Sequence, residues 1–329
     1  MSRILFALGA AATLACSASS AVAGSCTLTK LASFPARIDA ENELLVPATI
    51  NGTTVPMLFD TGTRGYAVTK AAAGRIGLAV NDRPPEMHLL GGQYLSESAR
   101  IETITIGGIE RSALRAGVIP QGGDGSDGRS AGVIGAGPGA FSADERFLDT
   151  EIDPAAGVIT LFDPDHCPGQ VVHWATEFSS VPVLLEAGTH QLRVDVELDG
   201  KKLLAWIDTG AAQTSMPLDH AGLNFALNPT SPGVARDKTA LIDGQLMPAG
   251  AYSFHTLKIG DIVVNNPNVM LVEFYPDTIV ATGSHFRAGK VELPDLVIGM
   301  NILKSLHLYL AYHEGVMYYT PASVQAAKS

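Results

Sequence analysis

Charge is scarce in this chain. Charged side chains make up only 17% of its 329 residues, and the 22 basic ones form no Lys/Arg-rich run. A phosphate backbone is bound by displacing its counterions with a basic footprint, so nucleic acid is not expected as a partner. The 33 acidic groups leave a net charge of −11. Gly (34) and Pro (19) are frequent instead, and with so little charge this excludes a disordered polyelectrolyte and a helical coiled coil. A globular, β-rich chain remains. Beyond the first segment no apolar run reaches the roughly 18 residues that a spanning helix needs, so no membrane-spanning segment is expected. The length exceeds one ordinary domain and points to two.

Arg3 precedes an apolar run over residues 4–14, and Ala21-Val22-Ala23 follows with small side chains. This pattern reads as a secretory signal over residues 1–23, cut before Gly24, and the protein is expected in the periplasm or outside the cell. A competing reading makes Cys16, after Thr13-Leu14-Ala15, the lipid-bearing residue of a lipoprotein; the Thr counts against it. Export leaves two of the three cysteines, Cys26 and Cys167. An oxidising compartment favours their pairing, which would staple the mature N-terminus to the end of the first half. The alternative is two unpaired thiols.

The chain repeats itself. Leu44–Ile50, Asn51-Gly52 and residues 53–59 read as strand, tight turn, strand, because Asn-Gly supplies the positive φ of a two-residue hairpin turn. Leu192–Leu198, Asp199-Gly200 and Lys201–Ile207 repeat the pattern, and both hairpins run into one tripeptide, Asp60-Thr61-Gly62 and Asp208-Thr209-Gly210. Pro47 and Pro56 weaken the first pair of strands and suggest edge positions. Further matches keep the same order: Gly77-Leu78 with Gly222-Leu223, Gly92-Gln93 with Gly244-Gln245, and Ile104-Thr105-Ile106-Gly107 with Leu257-Lys258-Ile259-Gly260. Toward the end of each copy Val133-Ile134-Gly135 answers Val297-Ile298-Gly299, and Gly157-Val158-Ile159 answers Gly315-Val316-Met317. An ordered series of this kind marks a fold built twice. The expected organisation is a lobe over residues 24–165, a linker over 166–180 and a homologous lobe over 181–329. Short helices are expected at 69–76 and 301–308, and the Gly-rich stretch 121–129 reads as a flexible insertion.

One Asp-Thr-Gly is weak evidence, since a lone carboxylate after a strand is usually a turn residue or a cap. Two at equivalent places in repeated lobes differ, because a pseudo-twofold axis brings equivalent residues face to face. Here the chain resembles the pepsin-like and retropepsin-like aspartic proteases. Leu58-Phe59-Asp60-Thr61-Gly62-Thr63 is similar to the pepsin form and Trp206-Ile207-Asp208-Thr209-Gly210-Ala211 to the retropepsin form. The two Val-Ile-Gly segments stand where that family threads a second element beside the first. The resemblance implies a mainly β protein of two homologous β-barrel lobes with a cleft between them, and an aspartic endopeptidase with no metal or other cofactor. Asp60 and Asp208 would be catalytic, with Thr61, Gly62, Thr63, Thr209, Gly210 and Ala211 as supporting loops. Gly91, Gly92, Gln93 and Tyr94 would form a flap over a protein or peptide substrate bound in extended form. A monomer with one site is expected, and the alternative function is a peptide-binding or scaffold protein that does not cleave.

Rival chemistries fare poorly. His313-Glu314 lacks a second His four residues after the first, so a zinc helix is not supported. Gly128-Arg129-Ser130-Ala131-Gly132 has the letters of a nucleophile elbow, but a Gly-rich loop precedes it where a strand is needed. The histidines are scattered singly and read as structural or surface groups.

Overall fold

The computed structural model describes residues 27–88, 94–144, 146–185, 191–242, 245–273 and 294–322. Its first lobe grows from the hairpin of Leu44–Ile50 and Thr53–Asp60, whose turn takes positive φ at Asn51 (46°) and Gly52 (83°). Buried and more exposed side chains alternate from Val46 to Ile50 and from Thr54 to Phe59, as in a strand with one face on a core, while Leu44, Leu45 and Asp60 are buried as well. Next to Thr53–Asp60 lie Gly132–Gly135, Tyr66–Thr69, Ile109–Ile119 and Tyr94–Ile106 in turn. The last pairs back onto Leu44–Ile50 through Thr49↔Thr105 and Ile50↔Ile104, closing a barrel.

Pro47 and Pro56 face each other across that first hairpin. Neither can donate to a ladder, and the outer side of Pro47 falls between the partners of Leu45 and Thr49. The prolines therefore sit in interior strands at a position that is an edge only locally.

The second lobe follows the same course from Leu192–Leu198 and Lys201–Ile207, again with positive φ at Asp199 (45°) and Gly200 (80°). Here the two long strands are interrupted. Gln245–Ser253 and Thr256–Ile259 replace Tyr94–Ile106, while Ile262–Asn265 and Asn268–Val272 replace Ile109–Ile119. Pro267 lacks an N–H and Asn266 has φ 50°, so the ladder breaks there. Backbone bonds from Phe254 to Pro267 (3.0 Å) and from Asn266 to His255 (2.9 Å) bridge the gap.

A third, six-stranded sheet joins the lobes in the order Lys30–Pro35, Val158–Phe162, Asp149–Asp153, Leu306–Ala311, Val316–Pro321, Ser179–Pro182. Its central pairing, Thr150↔Leu310, Glu151↔Tyr309 and Ile152↔Leu308, carries the seam between the halves. Ionisable groups meet there, with the side chains of Glu151, Asp149, His166 and His307 buried and that of His173 half exposed. His307 and His173 each reach a Glu151 oxygen, at 2.8 and 3.1 Å, and His166 lies 2.6 Å from Asp149. Trp174 stacks on His307 with ring centroids 4.0 Å apart.

The helix expected at 69–76 is Lys70–Ile76, with the Thr69 hydroxyl accepting from the Ala72 amide and Gly77 in the left-handed conformation. The one expected at 301–308 is shorter, Met300–Leu303. Residues 306–308 belong to the seam strand Leu306–Ala311, whose every side chain is buried. Two-sided pairing has overridden the local helical pattern. The 121–129 stretch is not a loose insertion. The Thr69 hydroxyl donates to the Gly123 carbonyl (2.6 Å), Arg75 to that of Asp124 (2.8 Å), and Arg37 to that of Gly128. Among the described residues no helix is long and apolar enough to cross a membrane.

Candidate active site

Each Asp-Thr-Gly begins where a barrel strand runs out. Thr53–Asp60 pairs in parallel with Gly132–Gly135 through Leu58↔Val133, Phe59↔Ile134 and Asp60↔Gly135. Lys201–Ile207 does the same with Leu296–Ile298 through Trp206↔Val297 and Ile207↔Ile298. The glycines ending these Val-Ile-Gly segments let the loops lie directly on them. A Cβ on Gly135 would run into the Thr63 carbonyl, and one on Gly299 would come within 2.6 Å of the Ala211 oxygen.

The two loops then bind each other. The Thr61 amide donates to the Thr209 hydroxyl (3.0 Å), and the Thr209 amide donates to the Thr61 hydroxyl (3.1 Å). Each hydroxyl passes its own proton across, Thr61 to the Ile207 carbonyl (3.1 Å) and Thr209 to the Phe59 carbonyl (2.8 Å). Four reciprocal bonds thus lock the tripeptides about a local twofold axis, with Thr61 and Thr209 both buried. Asp60 and Asp208, 7% and 8% exposed, are brought together at that axis.

The carboxyls are held from below by their own loops. Gly62 N donates to Asp60 Oδ1 (2.6 Å), and Gly210 N donates to Asp208 Oδ1 (2.8 Å). Burial pushes the Asp60 carboxyl above its ordinary range, while hydrogen bonds from the Thr63 side chain, the Gly62 amide and Asp208 pull it back. The space over each glycine is filled by the opposite carboxyl. A Cβ on Gly62 would lie 3.0 Å from Asp208 Oδ1, and one on Gly210 would lie 2.6 Å from both Asp60 oxygens. An added carbon at Gly210 would force the Asp60 carboxyl to shift, and one at Gly62 would require the Asp208 and Gln191 side chains to give by a few tenths of an ångström.

Of the expected flap, Gly91, Gly92 and Gln93 lie outside the described residues. Tyr94 opens the strand Tyr94–Ile106 and pairs with His88, so the flanks of the segment form a hairpin. A hairpin stands at the equivalent place in the second lobe, Ala235–Ile242 with Gln245–Ser253. Cys167 is not a free thiol, and Cys26 lies outside the described residues. Ser130 is a structural hydroxyl, donating to the Gly132 carbonyl (2.5 Å) and accepting from the Leu58 amide (3.3 Å).

One residue at the site went unremarked in the sequence. Gln191 is buried, and its Nε2 donates to the Gly62 carbonyl at 2.5 Å, across the two lobes. It stands just ahead of Leu192–Leu198, where the first copy has Glu43 ahead of Leu44–Ile50, so comparing the copies one residue further back would have singled it out.

Two barrel lobes sharing a seam sheet and a pair of interlocked Asp-Thr-Gly loops define a bilobal protein of the aspartic-protease kind. A family model described as aspartyl protease matches residues 46–136 and 194–302. The chain belongs to that family. Among solved structures it is similar to the basic 7S globulin from soybean, with a TM-score of 0.52 and 10% identity, covering 92% of this chain and 99% of the other. That likeness speaks to the fold alone. A search of curated proteins finds no match to the chain.

Proposed function

We propose that this protein is an exported, monomeric aspartic endopeptidase in which Asp60 and Asp208 share one site. The observation that carries the reading is the reciprocal Thr61–Thr209 lock, which sets two buried carboxyls against each other. Two carboxyls about 3 Å apart cannot both ionise, so at working pH the pair holds one proton. Asp60, with a hydroxyl donor in Thr63, is the ionised partner. It removes a proton from a water that attacks the peptide carbonyl carbon, while Asp208 gives its proton to the carbonyl oxygen. When the tetrahedral diol collapses and the C–N bond breaks, Asp60 returns its proton to the leaving nitrogen and a diol hydroxyl re-protonates Asp208. No covalent enzyme intermediate forms.

The hairpins above the cleft favour a substrate in extended conformation, whose backbone can pair with theirs as a strand does. Export through residues 1–23 and a Cys26–Cys167 bond complete the proposal. Cleavage of a peptide library by the wild type, set beside Asp60→Asn, tests it. Turnover by the wild type and none by the variant is expected. Saturable peptide binding without turnover would instead make this a non-cleaving relative of the same fold.

A further inference from the structure

The two Asp-Thr-Gly loops repeat each other, but their surroundings do not. Residues separated by 148 in sequence, such as Thr61 and Thr209, occupy equivalent places. By that rule Gln191 corresponds to Glu43. Glu43 stays within its own lobe, where its amide donates to Asp39 Oδ1 (2.8 Å) and its carboxyl lies among Asp39, Glu41 and Arg129. The atoms nearest the open side of Gly210 belong to Asp60. On the other side, Gln191 reaches out of the second lobe to the catalytic loop of the first. A Cβ on Gly62 would touch Asp208 Oδ1 and Gln191 Oε1 alike, each at 3.0 Å, so the amide oxygen and the Asp208 carboxyl border the same space over Gly62.

The orientation of that amide follows from chemistry. The Gly62 carbonyl can only accept, so the NH2 must face it, and this turns the amide oxygen toward the Asp208 side. An oxygen that only accepts is compatible with a protonated carboxyl and repels an ionised one.

Resting on the protease reading above, we infer that Gln191 is a positioning residue that keeps the shared proton on Asp208 and holds the Gly62 loop in register with the second lobe. The asymmetry is then double. Asp60 has the Thr63 hydroxyl as a donor, whereas Asp208 has Ala211 at the matching place and an acceptor beside it. Among the described residues the phenol of Tyr312, after the seam strand Leu306–Ala311, is a titratable group that interacts with Asp60. Burial raises its pKa, so it stays neutral through the working range.

The test uses Gln191→Leu and Gln191→Glu in the full-length protein. Leu removes the acceptor, so the upper apparent pKa of the dyad should fall and the basic limb of kcat/KM should move to lower pH. Glu keeps the shape but adds negative charge, so the limb should move to higher pH by about one unit. Both variants should lose roughly tenfold or more in kcat with less change in KM, because the Gly62 tether is disturbed. Titration of the Asp60 and Asp208 carboxyls by carbon NMR, assigned with the two Asp→Asn variants, reads the proton position without substrate. Melting curves confirm that each variant is folded, and Gln191→Glu is the one that preserves packing if Leu does not. If the wild type cleaves but both variants keep its limbs and its carboxyl titration, the inference is overturned and the protease reading stands. If the wild type does not cleave, the protease reading falls, and the NMR titration alone decides whether Gln191 biases the proton.

Discussion

Asp60 and Asp208 are buried and hydrogen-bonded to each other, so under the proposed mechanism neither acts without the other. Asp60→Asn and Asp208→Asn should each lower kcat by roughly a thousandfold or more, and the double variant should be little worse than either, because groups that act as a unit do not contribute additively. Half activity in either single variant would mean two separate sites. The Thr63 hydroxyl lowers the Asp60 pKa, and Ala211 offers no such donor. Thr63→Ala should therefore move the activity profile to higher pH, and Ala211→Thr should move it to lower pH. A single hydrogen bond limits each shift to about one unit, and a pH series of kcat/KM measures it. The dyad was legible in the sequence because the tripeptide occurs twice after matching hairpins. Gln191 stands one residue ahead of the second of these hairpins, and its role shows only when the fold carries it across 129 residues to Gly62.

At the scale of the element, the parallel strand beneath each loop is what gives the loop its shape. A Cβ on Gly299 would lie 2.6 Å from the Ala211 carbonyl oxygen and 2.6 Å from the Gln213 carbonyl carbon, both backbone atoms with no rotamer by which to yield. Gly299→Ala should cost roughly 1–3 kcal/mol of stability and lower kcat more than it raises KM, since Asp208 moves with its loop. Gly74→Ala is the control. Gly74 lies inside the helix Lys70–Ile76 with nothing within 4 Å of the added carbon, so the variant should be neutral or stabilised by up to about 1 kcal/mol. Thermal melts of the two variants, with steady-state kinetics, check both. Hairpin turns were readable at this scale because Asn-Gly and Asp-Gly carry their geometry locally. The strand Leu306–Ala311 was not, because its conformation is set by partners at Asp149–Asp153, far away in sequence.

The whole molecule is held across its seam, and there three of the nine scattered histidines, His166, His173 and His307, come together. Each was unremarkable alone, and only the sheet order reveals that residues 149–173 and 307–314 form one cluster. If Cys26 and Cys167 are paired, the staple adds about 2–4 kcal/mol, so a reductant should lower the melting temperature and mass spectrometry should find no free thiol at either position. The carboxylates and histidines give the seam a pH dependence that can be worked out. Burial alone would raise Glu151, but hydrogen bonds from His173 and His307 overcome it and hold the carboxyl down at about 2 against an ordinary 4.5. Its contribution is therefore full above about pH 4.5 and lost as pH falls through about 2. His173 is raised by its bond to Glu151, and His166 is raised by Asp149 against the opposing effect of burial. Their contributions are full below the ordinary histidine value of 6.5 and are lost as pH rises through the raised values. Asp149 is itself raised by burial, so its contribution runs the other way, present at low pH and lost as pH rises above its ordinary 3.8. The combined contribution of Glu151, His166 and His173 should then be highest between about pH 4.5 and 6.5 and decline toward pH 8, while Glu43 and Asp60, raised by burial, add to the loss of stability as pH rises. Glu151→Gln should remove the partner of His173 and His307 together, lowering the melting temperature at pH 5.5 by several degrees and flattening the decline above it. Melting temperatures of both proteins measured from pH 3 to 9 decide the matter, and parallel curves for wild type and variant would show that the seam histidines do not set the pH dependence.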